Sequence, residues 1–400
     1  MAPVDSRLAL LTNLMKRNVA TPWTTLEHWG PFRIDALGLI TLLGAEEVTQ
    51  STGSLVKRKV TECLPLLGAW MVAGDRFMDR QTGYDMYDLT NGIRRPQLAG
   101  WFTRWLGTQD VARHTTVFEW SHEPPVSASG SMGRELLAVM LGCILLLPLL
   151  ALTVLIRDGW GVANTVAILV SICVRRILFS QRRAAIECLI TESVNNAKLH
   201  GDHGITATEP ETCLLLVATP KGNLVTMRVP DNMMSCFIRD AEVPAARLYQ
   251  YARLAGWLAF AVHAIALGMA SLFAQLYTVV LLLGCTLLVV QRFRWDFPSE
   301  GCVSTEDMDC ARRTQTSRPF GNVVFVKRHD YDGWDRRMNA YARAQLTKEQ
   351  EEMMRDWGLT PSSSSRNAWW FEDYHALKVK YEARDHDQRT VAVRNFGHSK

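Results

Sequence analysis

Between residues 254 and 290 the chain carries no Asp, Glu, Lys or Arg, an uncharged run of 37 residues. Residues 135–156 are nearly as bare, with Glu135 the one formal charge among 22. A helix on a soluble domain needs a polar face, so two such runs exclude an ordinary soluble fold for these parts. Other absences narrow the function. No Asn-x-Ser/Thr sequon occurs, so nothing calls for a lumenal domain. The first thirty residues hold no apolar core of signal-peptide length. Gly-x-Ser-x-Gly elbows, Walker loops, His-Glu-x-x-His and Cys-x-x-Cys pairs are all missing. Lysine is scarce, 10 against 34 Arg, and the net charge is only +4. The arginines bracket apolar stretches instead of forming one stripe with interleaved aromatics, which fits a membrane surface and not nucleic acid.

What is present has enough apolar content for a packed protein. Hydrophobic residues make up 48%, which excludes wholesale disorder. Nine cysteines is an odd count, and Cys143, Cys173 and Cys285 lie inside the apolar runs, so reduced, packing thiols are expected. Cys302 and Cys310 are the one close pair outside them, and a cytosolic setting disfavours a bridge there.

Residues 135–156 would rise about 33 Å as a helix, enough for a hydrocarbon core of about 30 Å. Pro148 is tolerated in such a helix. The run 159–174 is shorter, but Arg175 and Arg176 can snorkel and 177–179 extend it. One helix over 254–290 would measure about 55 Å, so it must fold back. The polar Gln275 beside Tyr277 is the expected turn, with spans at 254–273 and 276–290. Arg134, Arg175, Arg176, Arg182, Arg183, Arg247, Arg253, Arg292 and Arg294 flank the open ends of the two hairpins, against Arg157 at the closed ends. This bias puts the open ends and both termini in the cytosol. Trp257 and Trp295, with Trp160 and Tyr277 at the far side, fit interfacial belts.

The expected fold class is an α-helical polytopic membrane protein. Four transmembrane helices form two hairpins, with mostly helical cytosolic regions and a small β-hairpin. The chain divides into an N-terminal cytosolic region (1–120), a linker (121–133), a first hairpin (134–179), a cytosolic insert (180–250), a second hairpin (251–292) and a C-terminal cytosolic region (293–400). Two short apolar runs, 36–45 and 64–74, are too short to cross a bilayer and are expected as core elements or surface-dipping segments. Residues 177–198 extend the second span as an amphipathic helix with Ile186, Leu189, Ile190 and Val194 on one side. Its basic start is expected to lie on an anionic leaflet. Residues 212–219 and 224–229 flank the turn Pro220-Lys221-Gly222-Asn223 and predict the β-hairpin. Thr347-Lys348-Glu349-Gln350 is a capping box, with the helix stopping near Gly358. An aromatic cluster, Trp369, Trp370, Phe371 and Tyr374, follows.

Three stretches, GWGVANTVAILVSICVRRILFSQRRAAIE (159–187), VATPKGNLVTMRVP (217–230) and the second uncharged block (254–290), together with WGLTPSSSSRNAWWFEDY (357–374), carry a resemblance. In that order they resemble a family of multi-pass membrane proteins of filamentous fungi with no assigned biochemical role. The resemblance covers about residues 159–374 and extends to WGPFRIDALGLITLLG (29–44). It implies a fungal membrane protein, and it transfers no functional residue and no reaction.

Candidate chemistry is sparse. His200 and His203 around Asp202 would offer a metal two imidazoles and a carboxylate, but the spacing is short and a solvated turn is the better reading. Asp330, Asp332 and Asp335 would suit a divalent cation, yet Arg328, His329, Arg336 and Arg337 flank them, so a charge-balanced surface turn is expected. Gly159-Trp160-Gly161 lacks the third glycine and the strand of a dinucleotide loop. No cofactor and no metal are expected. In the apolar spans, His263 and Asn164 are polar at depth and therefore functional candidates. A neutral His263 hydrogen-bonded across helices is the preferred reading. Ala163, Ala167 and Ser171, then Ala264 and Gly268, then Ala266 and Ala270, recur every four residues as close-packing faces, which suit a bundle or a homo-oligomer.

The leading expectation is a non-enzymatic accessory or scaffold protein, in an endomembrane or the plasma membrane, that holds cytosolic modules beside the bilayer for a protein partner. The alternatives are a membrane-bound enzyme acting on a lipophilic metabolite of a specialised pathway, with the six titratable residues above as its candidates, and, third, an oligomeric transporter.

Overall fold

The structure, a computed structural model, describes residues 49, 52–56, 60–66, 69–75, 79–109, 111, 116–122, 131–200, 212–290, 306–307, 312–320, 323–331 and 336–397. Four of its helices are long and apolar enough to cross a membrane. They are α2 (Ser131–Leu155), α3 (Gly159–His200), α4 (Ala246–Met269) and α5 (Leu272–Val290). α3 packs chiefly on α4, while α2 bridges α3 and α5. Asp158 joins the two tight turns. Its carboxylate accepts the Gly161 N–H at 2.9 Å, capping α3, and the Ser271 N–H at 2.8 Å, from the other hairpin. The second hairpin therefore turns at Ala270–Ser271 and not at Gln275 as the sequence predicts. Gln275 lies in the first turn of α5, buried, its side-chain amide reaching back to the Ala270 carbonyl at 3.1 Å. That hydrogen bond satisfies a terminal carbonyl of α4, which is why a polar residue belongs there.

The interior of this bundle is small and polar in places. Asn164 donates to the Thr278 hydroxyl at 2.9 Å across α3 and α5. Ala167, Ala266 and Ala270 are buried. Gly268 faces outward with nothing near its Cβ direction, so the Ala264–Gly268 pair is not a packed face here.

The larger correction concerns β structure. Where the sequence predicts a lone hairpin and mostly helical flanking regions, the strands of all three regions combine in one eight-stranded sheet ordered β2-β1-β4-β5-β3-β8-β7-β6. The strands are β1 (Asp85–Asp88), β2 (Ile93–Arg95), β3 (Thr116–His122), β4 (Thr212–Ala218), β5 (Leu224–Pro230), β6 (Glu306–Asp307), β7 (Arg312–Ser317) and β8 (Val324–Tyr331). The expected hairpin is β4–β5, turned through Gly222 at φ +79°, where glycine has no Cβ to clash. All neighbours are antiparallel except β3 and β5. That parallel pair follows from the path of the chain. It leaves the sheet at β3, runs through the first hairpin, and returns by α3 into β4 and β5. The expected 121–133 linker is in part structured, since Ser121 and His122 belong to β3 and α2 starts at Ser131.

Period-two alternation gives the sheet two apolar faces. Cys213, Leu215 and Val217 point to one core, with Met86, Phe118 and Trp120. That face is covered by α1 (Gly100–Thr108), by the 3-10 turn Asp231–Phe237 and by the second half of α3. Ile186, Ile190 and Val194 are buried there, and Leu189 packs beside them, as the amphipathic reading predicts. Aromatic edges meet faces throughout this core, as in Trp105–Trp120 (4.9 Å, 68°) and Trp101–Phe320 (5.1 Å, 86°), a preferred ring geometry. The opposite face, through Tyr87, Leu216 and Leu224, receives α6 (Arg337–Ala344), α7 (Lys348–Asp356) and α8 (Ala368–Gly397). The Thr347 capping box is formed, Gly358 at φ +68° closes α7, and Trp370 stacks on Tyr374 at 5.4 Å.

At about 1.5 Å per residue, the 42 residues of α3 extend about 63 Å, roughly twice a hydrocarbon core. One unbroken helix thus passes from the apolar bundle into the core of the sheet unit.

Candidate functional site

The junction between bundle and sheet is built on residues 60–66 and 69–75. Two 3-10 turns line it, Thr61–Cys63 lying against α2 and α3 and Ala69–Gly74 against α3 and α4. Close approach is permitted by two glycines. A Cβ on Gly256 would come within 2.9 Å of Ala73 Cβ, and one on Gly142 within 2.6 Å of the Cys63 carbonyl oxygen. Leu64 and Leu66 pack on Cys285 and Val289, while Trp70 stacks on Phe260 at 4.7 Å.

Four arginines from α3 and α4 hold this segment. Arg183 pairs with both carboxylate oxygens of Glu62, at 2.5 and 3.1 Å. Arg182 pairs with Asp75, stacks over Tyr249 at 4.8 Å, and donates to the Tyr249 hydroxyl at 3.0 Å. Tyr249 in turn donates to Asp75. Arg253 donates to the Ala73 carbonyl at 2.7 Å. Arg175 donates one terminal nitrogen to the carbonyls of Glu62 and Leu64. These residues count toward the positive bias expected at a lipid leaflet. Arg175, Arg182 and Arg183 are instead turned inward onto protein acceptors, because residues 60–66 and 69–75 bring carboxylates and carbonyls to them. The described parts of the 64–74 run, 64–66 and 69–74, are thus core elements of the bundle's foot.

Above this clamp a small cleft of about 40 Å³ opens between the helices. Pro65, Leu66 and Trp70 line it from the inserted segment, Ala167, Ile168, Ser171, Ile172 and Arg175 from α3, Ala259, Phe260 and His263 from α4, and Leu282 from α5. It is apolar except at its two ends and at Ser171. Arg175 is 1% exposed, and its Nε and Nη1 have no hydrogen-bond partner. His263 is 9% exposed, and its Nδ1 likewise has none. The structure thus places His263 at the buried depth the sequence predicts but not in the expected cross-helix hydrogen bond from that nitrogen.

The remaining candidates do not gather with it. Asp330 sits on β8, not in a turn, accepting from the Thr116 hydroxyl at 2.9 Å and from Arg328 at 2.8 Å. Its role there is a cross-strand polar contact beside the register pair Thr116–Asp330. His200 is the last residue of α3, and the rest of the expected turn lies outside the described residues. His203, Asp332 and Asp335 lie outside the described residues, as do Cys302, Cys310 and the 36–45 run. Among the described residues, no cluster of three His, Cys, Asp or Glu has metal-binding geometry.

Sequence reasoning missed Arg175 as a cleft residue. The signal was there, because Ala167, Ser171 and Arg175 continue one helical face at four-residue spacing. Trp70 and Glu62 carried no such signal, since their roles depend on a segment distant in sequence. A second cavity, about 170 Å³, lies beside the β4–β5 turn and α1, lined by Tyr84, Arg104, Lys221 and neighbours. Cys213 near that sheet is buried, and burial together with its hydrogen bond to Asp231 pushes its thiol up to about 12. A thiol held protonated reacts slowly, so Cys188, which is exposed, is the better labelling site for topology. No family model, no curated protein and no solved structure matches the chain.

Proposed function

We propose that the chain is an integral membrane protein, of the fungal multi-pass kind its sequence resembles, that crosses the bilayer four times and serves as a non-enzymatic scaffold. In this reading the sheet unit and both termini are cytosolic, and the unit is presented to a protein partner in a fixed orientation. The observation that carries it is the continuity of α3, whose first half belongs to the apolar bundle and whose second half is buried in the sheet core. A helix shared by two cores couples them rigidly, which a flexible tether would not do. The outward faces support the membrane reading, with Leu136, Leu258 and Ile265 each about 60% exposed on the bundle. So large an apolar surface needs lipid or protein to cover it.

Affinity purification of the tagged full-length chain from native membranes should recover a recurring stoichiometric protein. Recovery of the chain alone would overturn the scaffold role. Membrane-impermeant thiol labelling of Cys188 should require permeabilised cells, and labelling in intact cells would invert the topology.

One observation favours a second reading, an enzyme acting on a lipophilic metabolite, namely the unpartnered His263 nitrogen at an apolar cleft. Deleting the gene should then change the extracted metabolite profile, and His263→Leu should reproduce that change. An unaltered profile removes the reading.

A further inference from the structure

The cavity beside the β4–β5 turn is the larger of the two described and lies within the sheet unit. Three stretches wall it, and the sheet register brings two of them together. β1 pairs with β4 through Asp85–Ala218, so the residues just before 85 run alongside those just after 218. Gly83, at φ +86°, lies against Pro220, where an added Cβ would come within 3.1 Å of the ring. The third wall is the end of α1, from Arg104 to Gln109, with Val111 beyond it. There Gly107 leaves room for the Tyr84 hydroxyl, which stands 3.1 Å from where a Cβ would be.

The floor of this cavity is apolar, because Leu106 and Tyr84 belong to the aromatic core and Val111 packs against it. The rim is polar and carries positive charge. Half-buried Arg104 and exposed Lys221 both line it, and no Asp or Glu is among the described residues that do. Asp79 acts on the Arg104 charge from outside the lining. Arg104 therefore supplies donors, while Lys221 supplies a charge that no wall residue opposes. Arg337 adds a further cation behind the turn, donating to the Gly222 carbonyl at 3.2 Å.

The volume, about 170 Å³, sets the size of what fits. An enclosed cavity of about 150 Å³ holds one benzene ring, so this one takes a single ring or short chain with one small head. A nucleotide or an acyl lipid is too large. An inorganic anion would leave Leu106 and Val111 uncovered, and a neutral ring would make no use of Lys221.

We propose that this cavity binds a small organic acid, a single ring or short chain bearing one carboxylate. Lys221 and Arg104 hold the carboxylate at the rim, and the apolar part covers Leu106 and Val111. Both contacts are charge-assisted hydrogen bonds, stronger than neutral ones. The site goes beyond the scaffold role and stands whether or not that role does. Its occupant bridges the end of α1 to the β4–β5 hairpin.

The test is fluorine NMR of the purified full-length chain in neutral detergent, with empty micelles subtracted. The probes are para-fluorobenzoate, omega-fluorohexanoate and the neutral amide of each. Saturable binding of one or both acids, at least tenfold tighter than the matching amide, is the expected result. Lys221→Glu sets a like charge against the carboxylate and should weaken binding at least tenfold, whereas Lys221→Arg should preserve it. Gly107→Leu fills the cavity with both cations in place and should also abolish binding. Because Lys221 is an exposed turn residue, its variants keep the test readable if Gly107→Leu does not fold. Failure of both acids to bind saturably, equal binding of the amides, or binding unchanged in Lys221→Glu or in folded Gly107→Leu would overturn the proposal. Full displacement by an equal concentration of inorganic phosphate would overturn it too, leaving only a nonselective anion site.

Discussion

The bundle and the sheet unit are built with opposite burial. In the sheet unit Trp101, Trp105, Phe118 and Trp120 are inside, and charged side chains such as Arg94 and Arg228 are outside. In the bundle Asn164, Thr278 and His263 are inside, while Leu136, Leu258, Ile265 and Met269 face outward. Water drives the first arrangement, because apolar area withdrawn from it contributes roughly 25 cal/mol per Å². Nothing of that kind separates leucine from a lipid tail, so the second arrangement depends on close packing and internal hydrogen bonds. In the proposed membrane setting the same chain follows two solvents, and α3 runs through both parts along its length.

The sharpest break of this comparison is Trp120→Ala. It should cost the sheet unit about 3–5 kcal/mol, read by urea-dependent proteolysis of the full chain in detergent. Ile265→Ala, an equally apolar truncation on the bundle's outer face, should leave the same curve unmoved, and a comparable loss would mean that face is covered by protein. Next in size, Leu258→Lys should reduce membrane insertion, since a basic residue at a helix centre in lipid costs about 2.5–3.5 kcal/mol. Unimpaired insertion would put that face in water. Asp158→Ala removes the acceptor of two backbone N–H groups and should destabilise the paired hairpins by about 1–3 kcal/mol, with Asp158→Asn between it and the parent. Thermal unfolding in detergent measures it. The smallest effect is Thr347→Ala, about 1 kcal/mol, seen as faster hydrogen exchange in the first turn of α7 with no change in the bundle.

Much of the architecture was legible because it depends on neighbours in sequence. The apolar helices, the β4–β5 hairpin, the Thr347 capping box and the buried stripe of Ile186, Ile190 and Val194 all follow from local spacing. The site was legible only at His263. Its other half, Arg175, was read as a lipid-facing arginine because the acceptors that turn it inward lie more than a hundred residues upstream, at Glu62 and Leu64. The position of the second turn failed for the same reason. Gln275 is the most polar residue nearby, but Asp158 of the first hairpin selects Ser271.

Absence of charge over 136–156 and 254–290 determined by itself which segments are apolar enough to cross a bilayer, since dehydrating an ionised side chain is costly. β-Branched residues and the Gly222-Asn223 turn likewise determined that 212–230 pairs as strands. Only tertiary structure decided that β1, β3 and β8 join that hairpin into one sheet, and that residues 60–66 and 69–75 close the foot of the bundle. Strand edges and arginine charges are satisfied by whichever partner arrives in space, and the order of residues along the chain does not name that partner.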